Sequence, residues 1–394
     1  MQILLIGAVL LLDVVAAQVL FAADLHELEV EERARRLVQK LDTRQVDEVE
    51  QYVEVLAQIG PPAIPHLVSV LGDTRREANA ATVLGRIGAP SISALLDALK
   101  DKGKRAGAIR ALGEIGPRAA RAIPAVLAAL QDEQARVRAQ ACLAVGKIGA
   151  SAPEAIPVLV RAIDDEDENV RYCAYEALCL MGPLAKPAIP ELIQRLKFDD
   201  PDRMVMPAAT ALSKIGRAAV PSLAKALKSV DEKVRRNASI ALGFMGPDAK
   251  NAADGLADLL RREGESKRVQ RAAGGALGMI GPPAIPLVVS ILKDRKASGR
   301  KEALGALAAM GPSAHTSIPV LVEALKDPAD PVRAGAAKAL GNIGVPSREV
   351  MDALDRATHA DDEGVRQAAV NAISRIRRLQ AEGGSLNKGP TSDK

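Results

Sequence analysis

Four histidines and three cysteines are the side chains of this chain best suited to acid–base, nucleophilic or metal chemistry, and their spacing permits little of it. His26, His66, His315 and His359 stand alone, with no cysteine or carboxylate at ligand or relay spacing. Cys142, Cys173 and Cys179 form no C-x-x-C or Cys/His pattern. They read as small buried hydrophobes, with a Cys142–Cys173 bridge as the other reading. The sequence contains no nucleophile elbow, P-loop or dinucleotide fingerprint. The acidic runs Asp164 to Glu168 and Asp361-Asp362-Glu363 lack a calcium-loop pattern. They suit helix starts, where carboxylates accept from free backbone amides. The sequence therefore assigns no catalytic residue, no metal and no cofactor.

The remaining chemical pattern is basic. Arg105, Arg138, Arg171, Arg235, Arg300, Arg333 and Arg366 each stand eleven residues before a recurring closing position. Such a row is either an anion-binding ladder or a device that keeps neighbouring helices in register. Asp132, Asp165, Asp294 and Asp327 stand six residues before Arg138, Arg171, Arg300 and Arg333. That recurrence favours the structural reading, in which each arginine pairs with a turn aspartate.

The elements that hold these residues follow from one doublet. An apolar residue precedes glycine at Ile59-Gly60, Ile87-Gly88, Ile115-Gly116, Ile148-Gly149, Met181-Gly182, Ile215-Gly216, Met245-Gly246, Ile280-Gly281, Met310-Gly311 and Ile343-Gly344. The glycines recur every 28 to 35 residues, a period that marks units which bury their apolar faces only against neighbours. Residues 154–182 show the unit. Ile156-Pro157 opens a first helix, where a missing N–H costs nothing. Asp164 to Asp167 form the turn. A second helix from about Asn169 to Met181 faces Val170, Ala174, Ala177, Leu178 and Met181 inward, and Gly182-Pro183 ends it with a left-handed glycine cap. The Gly216 unit departs from this grammar: Val205 replaces its arginine and Pro207 follows, so its second helix is expected to start late or kink.

Composition agrees with stacked helices. Ala, Leu, Ile and Val dominate, there is no Trp, and Phe and Tyr number three each. Lys plus Arg total 53 against 49 Asp plus Glu, a balance that, with so few aromatics, leaves nucleic acid an unexpected partner.

The segments VRAQACLAVGKIG (137–149) and VRAGAAKALGNIG (332–344), with the Asp/Arg spacing, resemble HEAT repeats, and in particular their short phycobilisome-lyase-type relatives. The resemblance implies an all-α, right-handed α-solenoid; the doublets and Ile-Pro openings count about eleven helix pairs within residues 24–380, and the Gly/Ser/Lys-rich residues 381–394 are expected to be a disordered tail. The resemblance implies no single function, because scaffolds and lyases share the repeat.

Two features bear on function. Second-helix positions two and six residues before each closing glycine tend to line the concave face of such stacks. They are polar towards the ends but apolar in the middle, at Leu143, Leu180, Ile240, Phe244 and Met279, which we take as a candidate patch for a protein or peptide. Residues 1–23 are apolar, with a small-residue cleavage site at Val15-Ala16-Ala17. They read as a signal peptide, with an uncleaved anchor or a capping helix as alternatives. The expectation is an exported, non-catalytic protein-binding scaffold that contacts a membrane only if the leader is retained. The alternative is a lyase-like enzyme or chromophore chaperone.

Overall fold

The computed structural model describes residues 29–42, 46–149, 153–200 and 206–386. The leader with His26, Val205 and residues 387–394 lie outside them. Among the described residues the regular elements are helices, and there is no strand. They fall into two compact units that divide between Leu184 and Ala185.

The first unit holds α1 (29–39), α2 (Val46–Ile59), α3 (Ile64–Ser69), α4 (Glu77–Ile87), α5 (Ile92–Ala98), α6 (Arg105–Ile115), α7 (Ile123–Ala129), α8 (Ala135–Ile148), α9 (Ile156–Ala162) and α10 (Glu168–Met181). The second holds α11 (Ile189–Arg195), α12 (Pro207–Ile215), α13 (Val220–Ala226), α14 (Glu232–Met245), α15 (Ala253–Arg261), α16 (Lys267–Ile280), α17 (Ile285–Lys293), α18 (Arg300–Met310), α19 (Ile318–Ala324), α20 (Asp330–Ile343), α21 (Arg348–Ala357) and α22 (Glu363–Leu386). Paired odd with even, they make five helix pairs and then six. The last helix continues to Leu386, beyond the residue at which the sequence reading ends the stack.

Each pair is built as its residues dictate. Ile156 and Leu159 of α9 and Val170, Ala174, Ala177, Leu178 and Met181 of α10 are all buried, a stripe at helical spacing in both helices. Each such leucine or isoleucine contributes about 1.5–3 kcal/mol of burial. Asp167 caps α10, its carboxylate accepting from the amides of Asn169 and Val170 at 2.9 and 3.1 Å. The closing glycine is not the left-handed cap expected. At Gly182 φ is 53° and ψ −125°, a region open essentially to glycine alone. That geometry turns the chain directly into the 3-10 turn that starts the next pair. Of the ten closing glycines only Gly344, with φ 76° and ψ 15°, is left-handed in the usual sense.

Within each unit the second helices pack along one another with little between their backbones. A Cβ on Gly146 would lie 2.7 Å from the Ala177 Cα, and one on Gly341 2.7 Å from the Ala372 Cα. The first helices make sparser contacts. The solvent side of the second-helix row is termed the inner face.

The arginine row ties one pair to the next. Arg138 Nε and Nη2 donate to the Asp165 carboxylate at 2.8 and 2.7 Å, while its Nη1 donates to the carbonyls of Asp132 and Glu133. Arg235 grips Glu265 in the same forked way, at 2.9 and 2.6 Å. Arg105 pairs with Asp132 and Arg300 with Asp327. These four arginines reach the carboxylate of the following turn, one repeat on, while Arg171, Arg333 and Arg366 bond within their own repeat. The aspartate six residues before the arginine serves chiefly through its backbone, as where Arg171 and Arg333 Nη1 donate to the carbonyls of Asp165 and Asp327 at 3.0 and 2.8 Å. Asp294 is the exception to the carboxylate ladder, because the preceding repeat has Gln270 in the arginine position. Its carboxylate accepts the Lys296 amide at 3.0 Å. The Arg138 hydrogen bonds hold the Asp165 carboxyl below its ordinary range against burial. At Glu265 burial pushes upward, but Arg235 and the Ser266 amide outweigh it and hold the group low.

The Gly216 repeat is irregular. Its second helix, α12, spans nine residues where α10 and α14 span fourteen. Asp199 caps it, accepting from the amides of Ala208 and Ala209 at 3.2 and 2.8 Å. Asn237 of α14 donates to the carbonyls of Leu196 and Asp199, at 2.7 and 2.9 Å. Burial pushes the Asp199 carboxyl up to about 6, with the two amides opposing.

Candidate functional site

Second-helix side chains at two, six and ten residues before the closing glycine emerge on the inner face, because they share one side of a helix whose opposite side is core. In α16 the pattern is clean. Met279, Gly275 and Arg271 are exposed, while Ile280, Leu277, Ala276 and Ala273 are buried.

The five patch residues fall in separate units. Leu143 on α8 and Leu180 on α10 lie in the first; Ile240 and Phe244 on α14 and Met279 on α16 lie in the second. Leu143 and Ile240 are half-buried. Leu180, Phe244 and Met279 are 50%, 45% and 57% exposed, so packing against first helices does not account for them. Ile240 sits one turn before Phe244. The Met279 Sδ lies 3.2 Å from where a Cβ on Gly243 would stand, which places its thioether across α14 beside Phe244. The second unit thus gathers three of the residues into one cluster.

The sequence already places Arg110, Glu114, Lys147, Glu176, Lys214, Lys338 and Arg375 at the positions two and six before a closing position; what sequence reasoning missed is the position ten before it and the difference in sign between the units. In the second unit, the inner-face positions carry Lys214, Arg236, Arg271, Lys301, Lys338 and Arg375, and no Asp or Glu. In the first, Arg86, Arg110 and Lys147 alternate with Glu50, Glu54, Glu114 and Glu176. There two of the cations are matched, Arg86 to Glu54 at 2.9 Å and Lys147 to Glu114 at 2.7 Å. The signal was the position ten residues before each glycine, which supplies Arg236, Arg271 and Lys301. At the far end of the second unit, a groove of about 810 Å³ between α20 and α22 is lined by Lys338, Asn342, Gln367, Asn371, Arg375 and Arg378.

The groups with chemical promise do not converge. His66, His315 and His359 belong to different pairs, and no group of three or more His, Cys, Asp or Glu suited to a metal occurs among the described residues. The three cysteines are free thiols. Burial, with Cys173 nearby, pushes the Cys142 thiol up to about 12, and burial also raises Cys173. Neither is poised as a thiolate nucleophile. Among the described residues, no helix is long and apolar enough to cross a membrane.

Repeat period, paired helices, glycine closures and the arginine row define a class of protein, the HEAT-repeat solenoids. The HEAT-repeat family model matches residues 92–179, 150–213, 189–265, 253–341 and 318–382, and the chain belongs to that family. It is similar to the uncharacterized protein SkfG of Bacillus subtilis (strain 168), 36% identical over 90 residues that make up 23% of this chain and 51% of the relative. Among solved structures it is similar to Kap121p bound to Nup53p, at 15% identity and TM-score 0.56, covering 91% of this chain and 47% of that one. It is also similar to Kap95p, in a structure describing how its binding induces the switch loops of RanGDP to adopt the GTP-bound conformation. That match has 14% identity and TM-score 0.50, covering 92% and 57%. The chain spans about half the length of each of these relatives. The likeness is one of fold.

Proposed function

We propose that this chain is a non-catalytic scaffold that holds a protein or peptide segment against the inner face of its second helices. The observation that carries the reading is the Ile240–Phe244–Met279 cluster. Phe244 and Met279 stand about half in solvent beside the half-buried Ile240, and such patches mark contact surfaces. Phe and Met suit an interface core, where a few desolvated anchors supply most of the binding energy. Leu143 and Leu180 form a smaller candidate area on the first unit. The protein partners named for the similar Kap121p and Kap95p structures support the reading. The raised cysteine thiols weigh against a lyase-like alternative built on a cysteine. An exported location, read from residues 1–23, belongs to the same proposal, and intact mass of the native protein tests it.

The direct test compares partner capture by the wild-type chain and an Ile240→Lys/Phe244→Lys variant at matched helicity. Loss of the partner in the variant supports the site. A partner captured equally by both would move the site elsewhere.

A further inference from the structure

We infer that the inner face of the second unit is built for an acidic peptide segment, about a dozen residues long, that carries one apolar anchor. This rests on the scaffold reading and adds the chemistry of the partner.

Three observations carry it. The first is charge. Lys214, Arg271, Lys301, Lys338 and Arg375 are exposed on this face, and none forms an ion pair among the described residues. A face with cations at so many positions and no carboxylate at any of them repels basic partners and attracts acidic ones.

The second is relief. Between the Phe244–Met279 cluster and Lys338, the positions six and two residues before the glycine are Gly275, Gly305 and Ala309, all exposed. A Cβ on Gly275 or Gly305 would meet nothing within 4 Å, so neither glycine is required by packing. Each weakens its helix relative to alanine. The result is a low floor on α16 and α18 with Arg271 and Lys301 along one edge, onto which a backbone can settle closely.

The third is the far end. The floor leads towards the α20–α22 groove, where Lys338, Arg375 and Arg378 stand among the amides of Asn342, Gln367 and Asn371. Guanidinium, ammonium and amide donors together suit carboxylates and backbone carbonyls. From α14 to α22 is four helix steps of about 8–10 Å, which an extended chain covers in roughly 10–12 residues. The apolar residue would sit on Phe244 and Met279, and the acidic run would lie over the floor and in the groove. A polynucleotide fits less well. It would set phosphates over the apolar cluster, and Phe244 is the one aromatic among the inner-face positions of this unit, too few for base stacking.

The experiment is fluorescence anisotropy on the full chain with three labelled peptides of equal length: glutamate-rich with one leucine-phenylalanine end, its lysine-for-glutamate counterpart, and a neutral serine-glycine version keeping the apolar end. An oligothymidylate of matched length is the fourth probe. The glutamate-rich peptide should bind at least about tenfold more tightly than either other peptide, and less tightly as salt rises. An Arg271→Glu/Lys301→Glu variant should lose about tenfold or more, and Phe244→Ser/Met279→Ser a similar amount. Arg86→Glu/Arg110→Glu on the first unit should change little. Equal binding of the lysine or neutral peptide, or tighter binding of the oligothymidylate, would overturn the acidic-peptide assignment while leaving an inner-face binding site standing. If no peptide of any charge binds, the scaffold reading falls with it.

Discussion

The two units use one repeat to make two different inner faces. In the first, charge is spent inside the protein: Lys147 meets Glu114, Arg86 meets Glu54, and the buried Glu77 takes Arg136 from two repeats further on. In the second, the ladder consumes Arg235 and Arg300, yet a separate row of cations occupies inner-face positions that hold no Asp or Glu, around three apolar side chains and two bare glycines. The comparison teaches that repeat grammar fixes where a side chain emerges and leaves open what emerges there. Core and ladder positions are constrained by neighbours on both sides; inner-face positions are constrained by whatever lies on them.

The largest effect should come from disturbing the internal charge of the first unit. Gly107 lies in α6 where a Cβ would stand 2.4 Å from the Leu71 carbonyl oxygen and 2.8 Å from Glu77 Cγ. Backbone cannot yield as a flexible side chain can. Gly107→Ala should therefore cost about 3 kcal/mol or more and displace Glu77 from Arg136, measured by chemical denaturation and by loss of amide protection in α4 and α6. Wild-type stability in this variant would mean that Glu77 is not packed as described.

The ladder gives the next effect and separates the units. Arg138→Ala leaves the Asp165 carboxylate, 14% exposed, without its forked partner, at a cost of about 2–3 kcal/mol. Arg235→Ala should cost less, because Glu265 keeps a second cation, Arg262 at 3.2 Å, beside the Ser266 amide, whereas Asp165 is left with the Asp167 amide at 3.0 Å. Equal losses in the two variants would show that the second cation contributes nothing.

Much of this was legible in the sequence because repetition supplies its own controls. Ten apolar-glycine doublets state the period, the Ile-Pro openings state where first helices begin, and eleven pairs follow. Val205 and Pro207 announced the late start of α12. The register of the ladder was not legible, since an aspartate six residues before an arginine and one twenty-seven residues after it are both present, and only packing of successive turns selects the second. The charge asymmetry escaped for another reason. Summed over the chain the charges nearly cancel, and the cations matter only once the position ten residues before each glycine is known to emerge on the inner face.

Asp199 sharpens the contrast through pH. The ladder carboxylates of the first unit, Asp132 and Asp165, are held low, so their contribution is present at neutral pH and is lost as pH falls through the acid range. Asp199 has the opposite sign. Its folded carboxyl titrates near 6 against an ordinary 3.8, so the folded state keeps a proton that the unfolded chain has already released. Stability at α12 should therefore fall as pH rises from about 4 to about 6 and stay lower above that, by about 3 kcal/mol. Asp199→Asn, which keeps a carbonyl acceptor for the Ala209 amide, should raise protection of the α12 amides at pH 7 and change nothing at pH 3.5. Hydrogen exchange at the two pH values reads both arms, and equal effects at both would remove titration as the cause.

The smallest effect tests whether the floor of the second unit serves packing. Gly275 and Gly305 occupy exposed helix interiors with no neighbour within reach of an added methyl. The corresponding position of α8 in the first unit carries Leu143, so the repeat itself tolerates a side chain there. Gly275→Ala and Gly305→Ala should each stabilise the chain by about 0.5–1 kcal/mol, by removing backbone freedom from the unfolded state. If the floor holds a peptide backbone closely, the same substitutions should weaken the glutamate-rich peptide even as they raise the denaturation midpoint. Stability and binding would then move in opposite directions. Improvement in stability with unchanged binding would leave the cations and the Phe244–Met279 anchor as the whole of the site. A loss of stability would mean that the two glycines answer to packing after all.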